Sequence, residues 1–311
     1  MPLDPIFDQL LTRMPSLVGE GDTVQAVRQR LLEITANPAL AELGPKIEDV
    51  TDTEIPGADG PIGARTYRPG TDGAHPTVVF LHGGGFAIGS IATHDLMCRE
   101  ICRQVDAVVV SVDYRLAPEN PFPASVEDCV AATRWVSDHI AELGGDPDRL
   151  ALAGDSAGGN LAAVVAQEFA GDDNAPAIAA QLLIYPATDV SKDYPSRAEF
   201  AEGYFLDQSS LELFALAYVT DFALLLDPRM SPILFPKLES LPPTVVITAE
   251  FDPIRDQGEA YATALEEAGV PVTSRRFDGM IHGFIHFGPF VPAAQSAVDE
   301  TCALLRETLK S

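Results

Sequence analysis

Basic residues are scarce in this chain: 20 lysines and arginines stand against 46 aspartates and glutamates, a formal net charge of −26. Without clusters of lysine and arginine nothing is available to neutralise phosphates, so nucleic acid is excluded as a partner, and anionic membrane surfaces repel the chain. The acid excess favours solubility and tolerance of salt. Cysteine is equally thin, and four in 311 residues cannot build a disulfide scaffold. Cys98 and Cys102 fall one turn apart on a helix expected over Asp95 to Gln104. No His–Cys cluster joins them, so they read as small apolar side chains and no metal is expected. Cys129 reads as the core face of an amphipathic helix, and Cys302 belongs to the C-terminal helix. No apolar run approaches the roughly 20 residues that a bilayer span requires. The N-terminus, Met1-Pro2-Leu3-Asp4-Pro5, has neither a basic region nor an apolar core, so a secretory leader is not expected and the cytoplasm is the expected location. Internal repeats and low-complexity tracts are missing as well. A hydrophobic content of 46% is that of an ordinary globular protein.

Against this background one pentapeptide stands out: Gly154-Asp155-Ser156-Ala157-Gly158, with Gly159 behind it. It follows the apolar run Leu150-Ala151-Leu152-Ala153 and opens an alanine-rich helical stretch, Asn160 to Ala170. A strand that turns directly into a helix holds the serine in a strained conformation, and the turn has no room for bulk at Gly154 and Gly158. The hydroxyl then stands above the end of the sheet at a helix N-terminus. Upstream, His82-Gly83-Gly84-Gly85-Phe86 follows the apolar run Val78 to Leu81. Consecutive glycines let backbone N–H groups approach a reacting centre, as acyl transfer needs when the attacked carbonyl becomes an oxyanion. The N–H groups of Gly84, Gly85 and Ala157 are the expected donors. No P-loop ending and no dinucleotide fingerprint accompany the glycines.

A serine hydroxyl needs a base, and the base needs an orienting carboxylate. Only His282 and His286 lie downstream of Ser156. His282 sits in a loop beyond the expected strand Val272 to Phe277, whereas His286 reads as structural or as a pocket wall. The buried strand Thr244 to Ala249 leads into Glu250-Phe251-Asp252-Pro253, and Asp252 is the expected acid. Glu250 is still on the strand, and Asp256 falls in the next helix, where it serves helix-end electrostatics. Asp252 also suits a helix N-cap ahead of Pro253, a role compatible with the first.

These motifs, with Asp113-Tyr114-Arg115-Leu116-Ala117-Pro118-Glu119, Asp252-Pro253-Ile254-Arg255-Asp256 and His282-Gly283-Phe284, resemble the hormone-sensitive-lipase-like branch of the α/β-hydrolases, the bacterial family IV esterases. The resemblance covers roughly residues 60–300. It implies a serine carboxylesterase acting on short and medium acyl chains, with small-molecule esters as its partners and no cofactor. Amidase, lactonase, peptidase and acyltransferase chemistry use the same triad, and a ligand-binding scaffold that has lost catalysis is a further alternative; the presence of His282 argues against the last. A neutral histidine base implies activity that falls below about pH 6–7. The Asp113–Glu119 motif is read as structural, its charges locking the loop by ion pairs and holding the glycine loop in register.

The remaining pattern is α/β. Residues 1–45 are expected to be helical, and Gly57, Asp59 and Gly60 mark a hairpin between strands near 46–55 and 62–68. Short continuous apolar runs near 77–81, 107–112, 150–153, 180–185, 243–249 and 272–277 read as strands covered on both faces, with helices between them and at 290–309. Right-handed crossovers then give one mostly parallel central sheet with helices on both faces, an α/β-hydrolase fold spanning 46–311. Residues 188–235 are longer than a crossover needs and rich in aromatics. With the N-terminal helices they are expected to form a helical cap over Ser156, whose acyl pocket would be walled by Phe86, Ile88, Tyr194, Phe205, Leu206, Phe214 and Ile281. The chain is expected to be a monomer or a homodimer, the strand near 272–277 offering a sheet edge.

Overall fold

The structure is a computed structural model that describes residues 2–14, 16–37, 39, 42–172 and 174–310. Met1, Pro15, Pro38, Leu40 and Ala41, within the stretch expected to be helical, lie outside the described residues, as do Asp173 and Ser311. Every apolar run read as a strand is one. The strands are β1 (Asp49–Gly57), β2 (Gly60–Arg68), β3 (His75–Leu81), β4 (Val108–Asp113), β5 (Gly145–Asp155), β6 (Ala180–Ile184), β7 (Thr244–Phe251) and β8 (Val272–Ile281). They form one sheet in the order β1-β2-β4-β3-β5-β6-β7-β8. The β1–β2 and β2–β4 pairs are antiparallel and the other neighbours are parallel. Ala58 and Asp59 turn the first hairpin, helped by Gly60, whose φ of 103° suits glycine alone.

The main helices are α1 (Pro5–Leu11), α2 (Val24–Thr35), α3 (Asp95–Ile101), α4 (Ala124–Asp138), α5 (Ala157–Ala170), α6 (Pro195–Glu199), α7 (Gln208–Tyr218), α8 (Arg255–Glu267) and α9 (Pro292–Thr308). The helix expected over Asp95 to Gln104 changes character: α3 stops at Ile101 and a five-residue π-turn, Cys102–Asp106, carries the chain into β4. The wider turn lets Ala107 N–H reach the Cys102 carbonyl, at 3.3 Å, before the chain straightens.

Side-chain alternation along the strands divides the core. Val79 and Leu81 of β3 pack on one face with Val126, Cys129 and Val136 of α4, Leu161 and Val165 of α5, and Tyr261 and Leu265 of α8. Val78 and Phe80 pack on the other with Met97, Cys98 and Ile101 of α3 and Val298, Cys302 and Leu305 of α9. All seven β3 residues are buried, which is why the run carries no polar alternation. A buried Phe or Val here contributes about 1.5–3 kcal/mol. The four thiols are free and buried, and burial pushes Cys102 up to about 12. Phe7 of α1 joins the second layer, edge-on to Phe287 with centroids 5.5 Å apart, while Asp4 N–H donates to the Gly279 carbonyl at 3.1 Å.

Two segments gather on the side where β5 runs out into Ser156. Between α1 and α2, Ser16 bridges to Phe205 and Leu17 N–H donates to the Phe205 carbonyl at 2.7 Å. Between β6 and β7, residues 188–235 hold α6, α7 and short 3-10 turns at Phe222–Leu226 and Pro232–Leu234. Val24 and Val27 of α2, Ala87 and Ile88 beyond the glycines, and Phe214 of α7 form a third small apolar cluster there. No helix among the described residues is long and apolar enough to cross a membrane.

Candidate active site

Ser156 directly follows β5 and caps the first turn of α5 with φ 53° and ψ −118°, a conformation costly for a residue with a side chain. The packing leaves no alternative. A Cβ on Gly158 would strike the Leu81 and His82 carbonyls, and one on Gly154 would strike the Gly158 carbonyl. The elbow is fixed further by Ser156 N–H, which donates to Ile184 O at 2.8 Å, and by Asn160 of α5, whose amide reaches the Ala187 and Met230 carbonyls at 2.7 and 2.9 Å.

His282 Nε2 lies 3.0 Å from Ser156 Oγ, and His282 Nδ1 lies 2.7 Å from Asp252 Oδ2. Asp252 is fully buried, and its second oxygen accepts Ile254 N–H at 2.8 Å. The helix proper begins only at Arg255, so Asp252 caps the turn before α8 with one oxygen and orients His282 with the other. The structure thus brings the three triad candidates into one relay. Glu250 remains on β7 and accepts Gly279 N–H at 2.7 Å, and Asp256 accepts Ser196 N–H at 2.8 Å; neither joins the relay.

The glycine loop lies alongside. Gly84 (φ 119°) and Gly85 (φ 58°) are in backbone regions that side chains resist, and the Gly84 carbonyl is turned back to accept Ala87 and Ile88 N–H at 3.0 and 2.9 Å. A Cβ on Gly85 would meet the ring of Phe214. Gly84, Gly85 and Ala157 all border the cavity that opens above Ser156. Ala157 is the first residue of α5, where helical N–H groups have no partner within the helix.

That cavity has a volume of about 990 Å³. Phe86, Ile88, Phe205, Leu206 and Phe214 are on its wall, as is His286. Two residues expected there are not. Tyr194 turns its hydroxyl to Asp189 Oδ2 at 2.7 Å, with Lys192 over its ring at 5.0 Å, ahead of α6. Ile281 ends β8 and points into the core layer with Phe277 and Phe284, because strand alternation sends it inward. Met14, Leu17 and Phe287 line the cavity without having been foreseen, since apolar spacing does not say which face of a loop meets a ligand. Backbone strain gathers here too: Phe86 (φ 59°), Tyr185 (φ 33°) and Phe205 (φ 72°) join Ser156 with positive φ.

The Asp113–Glu119 motif is wired differently from expectation. Arg115 pairs with the buried Asp128 of α4 at 2.7 and 3.0 Å, not with its neighbours in the motif. Glu119 pairs with Arg28 of α2 at 2.9 Å, and Arg28 also donates to the Ala87 and Ala117 carbonyls. The reason is reach: Arg115 lies under α4, whose Asp128 also holds the hairpin turn through Ala58 N–H at 2.9 Å. Tyr114 does touch the glycine loop, donating to His82 O at 2.6 Å and stacking on the His82 ring at 4.3 Å.

Sequence reasoning missed a polar group behind the loop. Asp155 Oδ1 accepts Gly83 N–H at 2.8 Å and lies 3.1 Å from His94 Nε2, with both side chains buried. Burial works against the Asp155 charge, yet His94, His286 and the Gly83 N–H hold the carboxyl well below the usual range. Burial and the neighbouring His94 push His82 down to about 3 and His286 down to about 4. Nothing in the spacing of His94 pointed to this meeting with Asp155.

A sheet of this order, a serine on a strand-to-helix elbow and a Ser–His–Asp relay define an α/β-hydrolase. The family model described as the α/β hydrolase fold matches residues 78–286, and the chain belongs to that family. Within it the chain falls in the hormone-sensitive-lipase-like esterase branch that its motifs resemble. It is 43% identical to esterase LipI of Mycobacterium tuberculosis over 99% of this chain and 95% of that protein. Carboxylesterase NlhH of the same organism is 40% identical over 99% and 96% of the two chains. Among solved structures, the hyperthermophilic esterase of Pyrobaculum calidifontis superposes with a TM-score of 0.90 at 43% identity, covering 99% of each chain.

Proposed function

We propose that this carboxylic ester hydrolase cleaves short- to medium-chain esters through an acyl-enzyme on Ser156. The observation that carries the reading is the relay itself: His282 in hydrogen-bond reach of Ser156 on one side and Asp252 on the other, beside an apolar cavity of about 990 Å³. His282 Nε2 takes the Ser156 proton as Oγ attacks the ester carbonyl carbon. Asp252 accepts a hydrogen bond from Nδ1–H, holds the tautomer and stabilises the imidazolium that forms, without taking the proton itself. The N–H groups of Gly84, Gly85 and Ala157 stabilise the oxyanion, each donor lowering the barrier by about 3 kcal/mol. His282 then protonates the departing alcohol. Water repeats the sequence on the acyl-enzyme and regenerates Ser156. The acyl chain lies against Phe86, Ile88, Phe205, Leu206 and Phe214, beneath a cap made of residues 1–45 and 188–235. None of these steps calls for a cofactor. The same proposal places the protein in the cytoplasm, where reduced thiols such as the four buried here persist, as a monomer or homodimer.

The test is initial-rate hydrolysis of p-nitrophenyl esters from acetate to palmitate, wild type beside Ser156→Ala. A maximum at short or medium chains is expected, reduced by about 10⁴-fold or more in the variant. A maximum at palmitate would move the assignment to lipase, and a folded wild type without hydrolysis would defeat it.

A further inference from the structure

The hydrolytic steps leave His94, Asp155 and His286 without a task, although they stand directly behind the glycine loop. One ligand atom from each lies within 4.8 Å of the other two. His94 Nε2 and Asp155 Oδ1, 3.1 Å apart, already have nearly the spacing of neighbouring ligands on a tetrahedral ion. All three residues border the cavity, so a small ion entering it reaches them. The His94 imidazole is oriented from behind by the turn that precedes it. His94 Nδ1 lies 2.8 Å from Thr93 Oγ1 and 3.4 Å from the Ser90 carbonyl. Metal-binding histidines are held in this way, one ring N–H on a backbone or side-chain oxygen and the other nitrogen facing the ion. The His286 ring packs edge-on against the His94 ring, centroids 4.7 Å apart.

We propose that His94, Asp155 and His286 form a binding site for a zinc-like transition-metal ion, and that filling it inhibits ester hydrolysis. Two imidazoles and one carboxylate suit Zn²⁺, Ni²⁺ or Cu²⁺ and suit Mg²⁺ or Ca²⁺ poorly. When the ion binds, the His94 ring carries its proton on Nδ1, facing Thr93 Oγ1 and Ser90 O, and gives the metal the Nε2 lone pair that otherwise accepts Gly83 N–H at 3.2 Å. His286 closes the remaining gap. Inhibition follows from Asp155: the oxygen that meets His94 is also the acceptor for Gly83 N–H. A metal drawing on that oxygen loosens Gly83 and displaces Gly84 and Gly85 beside it. This second half rests on the esterase reading; the binding half does not.

Zinc sulfate is titrated by calorimetry into the full chain and into His286→Gln, each shown to be folded by circular dichroism, with p-nitrophenyl butyrate hydrolysis followed over the same zinc range. One site of micromolar affinity is expected in the wild type, weakened at least tenfold in His286→Gln and largely kept in His286→Cys, which exchanges one ligand for another. Magnesium chloride should give no binding. Hydrolysis by the wild type should fall as zinc binds and return with EDTA. Equal zinc affinity in wild type and His286→Gln, or no binding, overturns the site. Binding lost in His286→Gln with wild-type hydrolysis indifferent to zinc overturns the inhibition. A wild type that hydrolyses no ester counts against the esterase reading alone, since calorimetry still decides the metal.

Discussion

Gly85 is where the chemistry and the wall of the cavity meet. Its φ of 58° is a region where Ala costs about 1 kcal/mol, and a Cβ there would collide with Phe214 on α7. Gly85→Ala should therefore lower kcat for p-nitrophenyl butyrate by one to two orders of magnitude, by moving an N–H proposed to hold the oxyanion. Adding Phe214→Ala removes the collision but not the backbone cost, so the double variant should recover part of the loss. Steady-state kinetics of the four-member cycle measure this, and additive losses would refute the contact. At this scale the sequence was most legible where steric necessity leaves a mark. Gly154, Gly158 and the glycines after His82 have to be glycine, and they point to Ser156 and its loop. Asp252 and His282 were singled out by chain order and by their places beyond strand ends, and the fold brings them within 2.7 Å of each other. His94 was not found, because a histidine that meets its partner only through the fold leaves no local trace, and Tyr194 was misplaced because an aromatic in an insertion does not declare which way it faces.

Among the elements, α2 and α7 are tied down by carboxylates as well as by a small apolar face. Asp22 is kept low by its hydrogen bond with Arg30, and Glu119 by Arg28. Partial burial opposes ionisation of Asp207, yet bonds from Ser16, Ser210 and Ser209 hold its carboxyl low as well, where it caps α7. Each of these folded-state values lies below the unfolded one. Their contribution is therefore complete above the ordinary carboxylate range and fades as pH falls through the lowered values. Near pH 3.5, roughly where carboxylates titrate, amides of α2 and α7 should lose hydrogen-exchange protection while β3 and β5, covered on both faces, keep theirs. Simultaneous loss in all four elements, after correction for intrinsic exchange, would show that the ion pairs do not set the order of opening. Strands were read well because burial on both faces makes their runs continuous. Their polar ends were not: β5 begins at Gly145, five residues before its apolar run, through pairing with β3 that only the assembled sheet supplies. The π-turn after α3 was invisible for the same reason.

For the molecule as a whole, a formal charge of −26 means that mutual repulsion among carboxylates works against the compact state. Salt screens exposed charges over about 10 Å at 0.1 M and reaches buried pairs such as Arg115–Asp128 far less. Relief of repulsion therefore outweighs the loss of surface pairs. Raising sodium chloride from about 0.02 M to about 0.5 M at pH 8 should raise the Tm by a few degrees, read by calorimetry at fixed protein concentration; a fall would mean that exposed ion pairs dominate. The sheet, its helical layers and the extra layer around residues 188–235 were legible at this scale from the alternation of patterns. The cavity was legible only in part, since its wall joins segments that lie far apart in sequence.

The seat of α1 carries a consequence for biosynthesis. Phe7 rests against Phe287, and Asp4 against Gly279 at the far end of β8. A nascent chain emerges from the ribosome N-terminus first, at roughly 5–20 residues per second, so the first helix waits through nearly all of translation for its partner. During that interval Phe7 and Leu11, later buried, are open to chaperones. Met14 and Leu17 come to rest at the cavity only when α1 docks, so the cavity is among the last parts to be completed. An incomplete product lacking β8 also lacks His282, the proposed base, so on that proposal it cannot cleave esters.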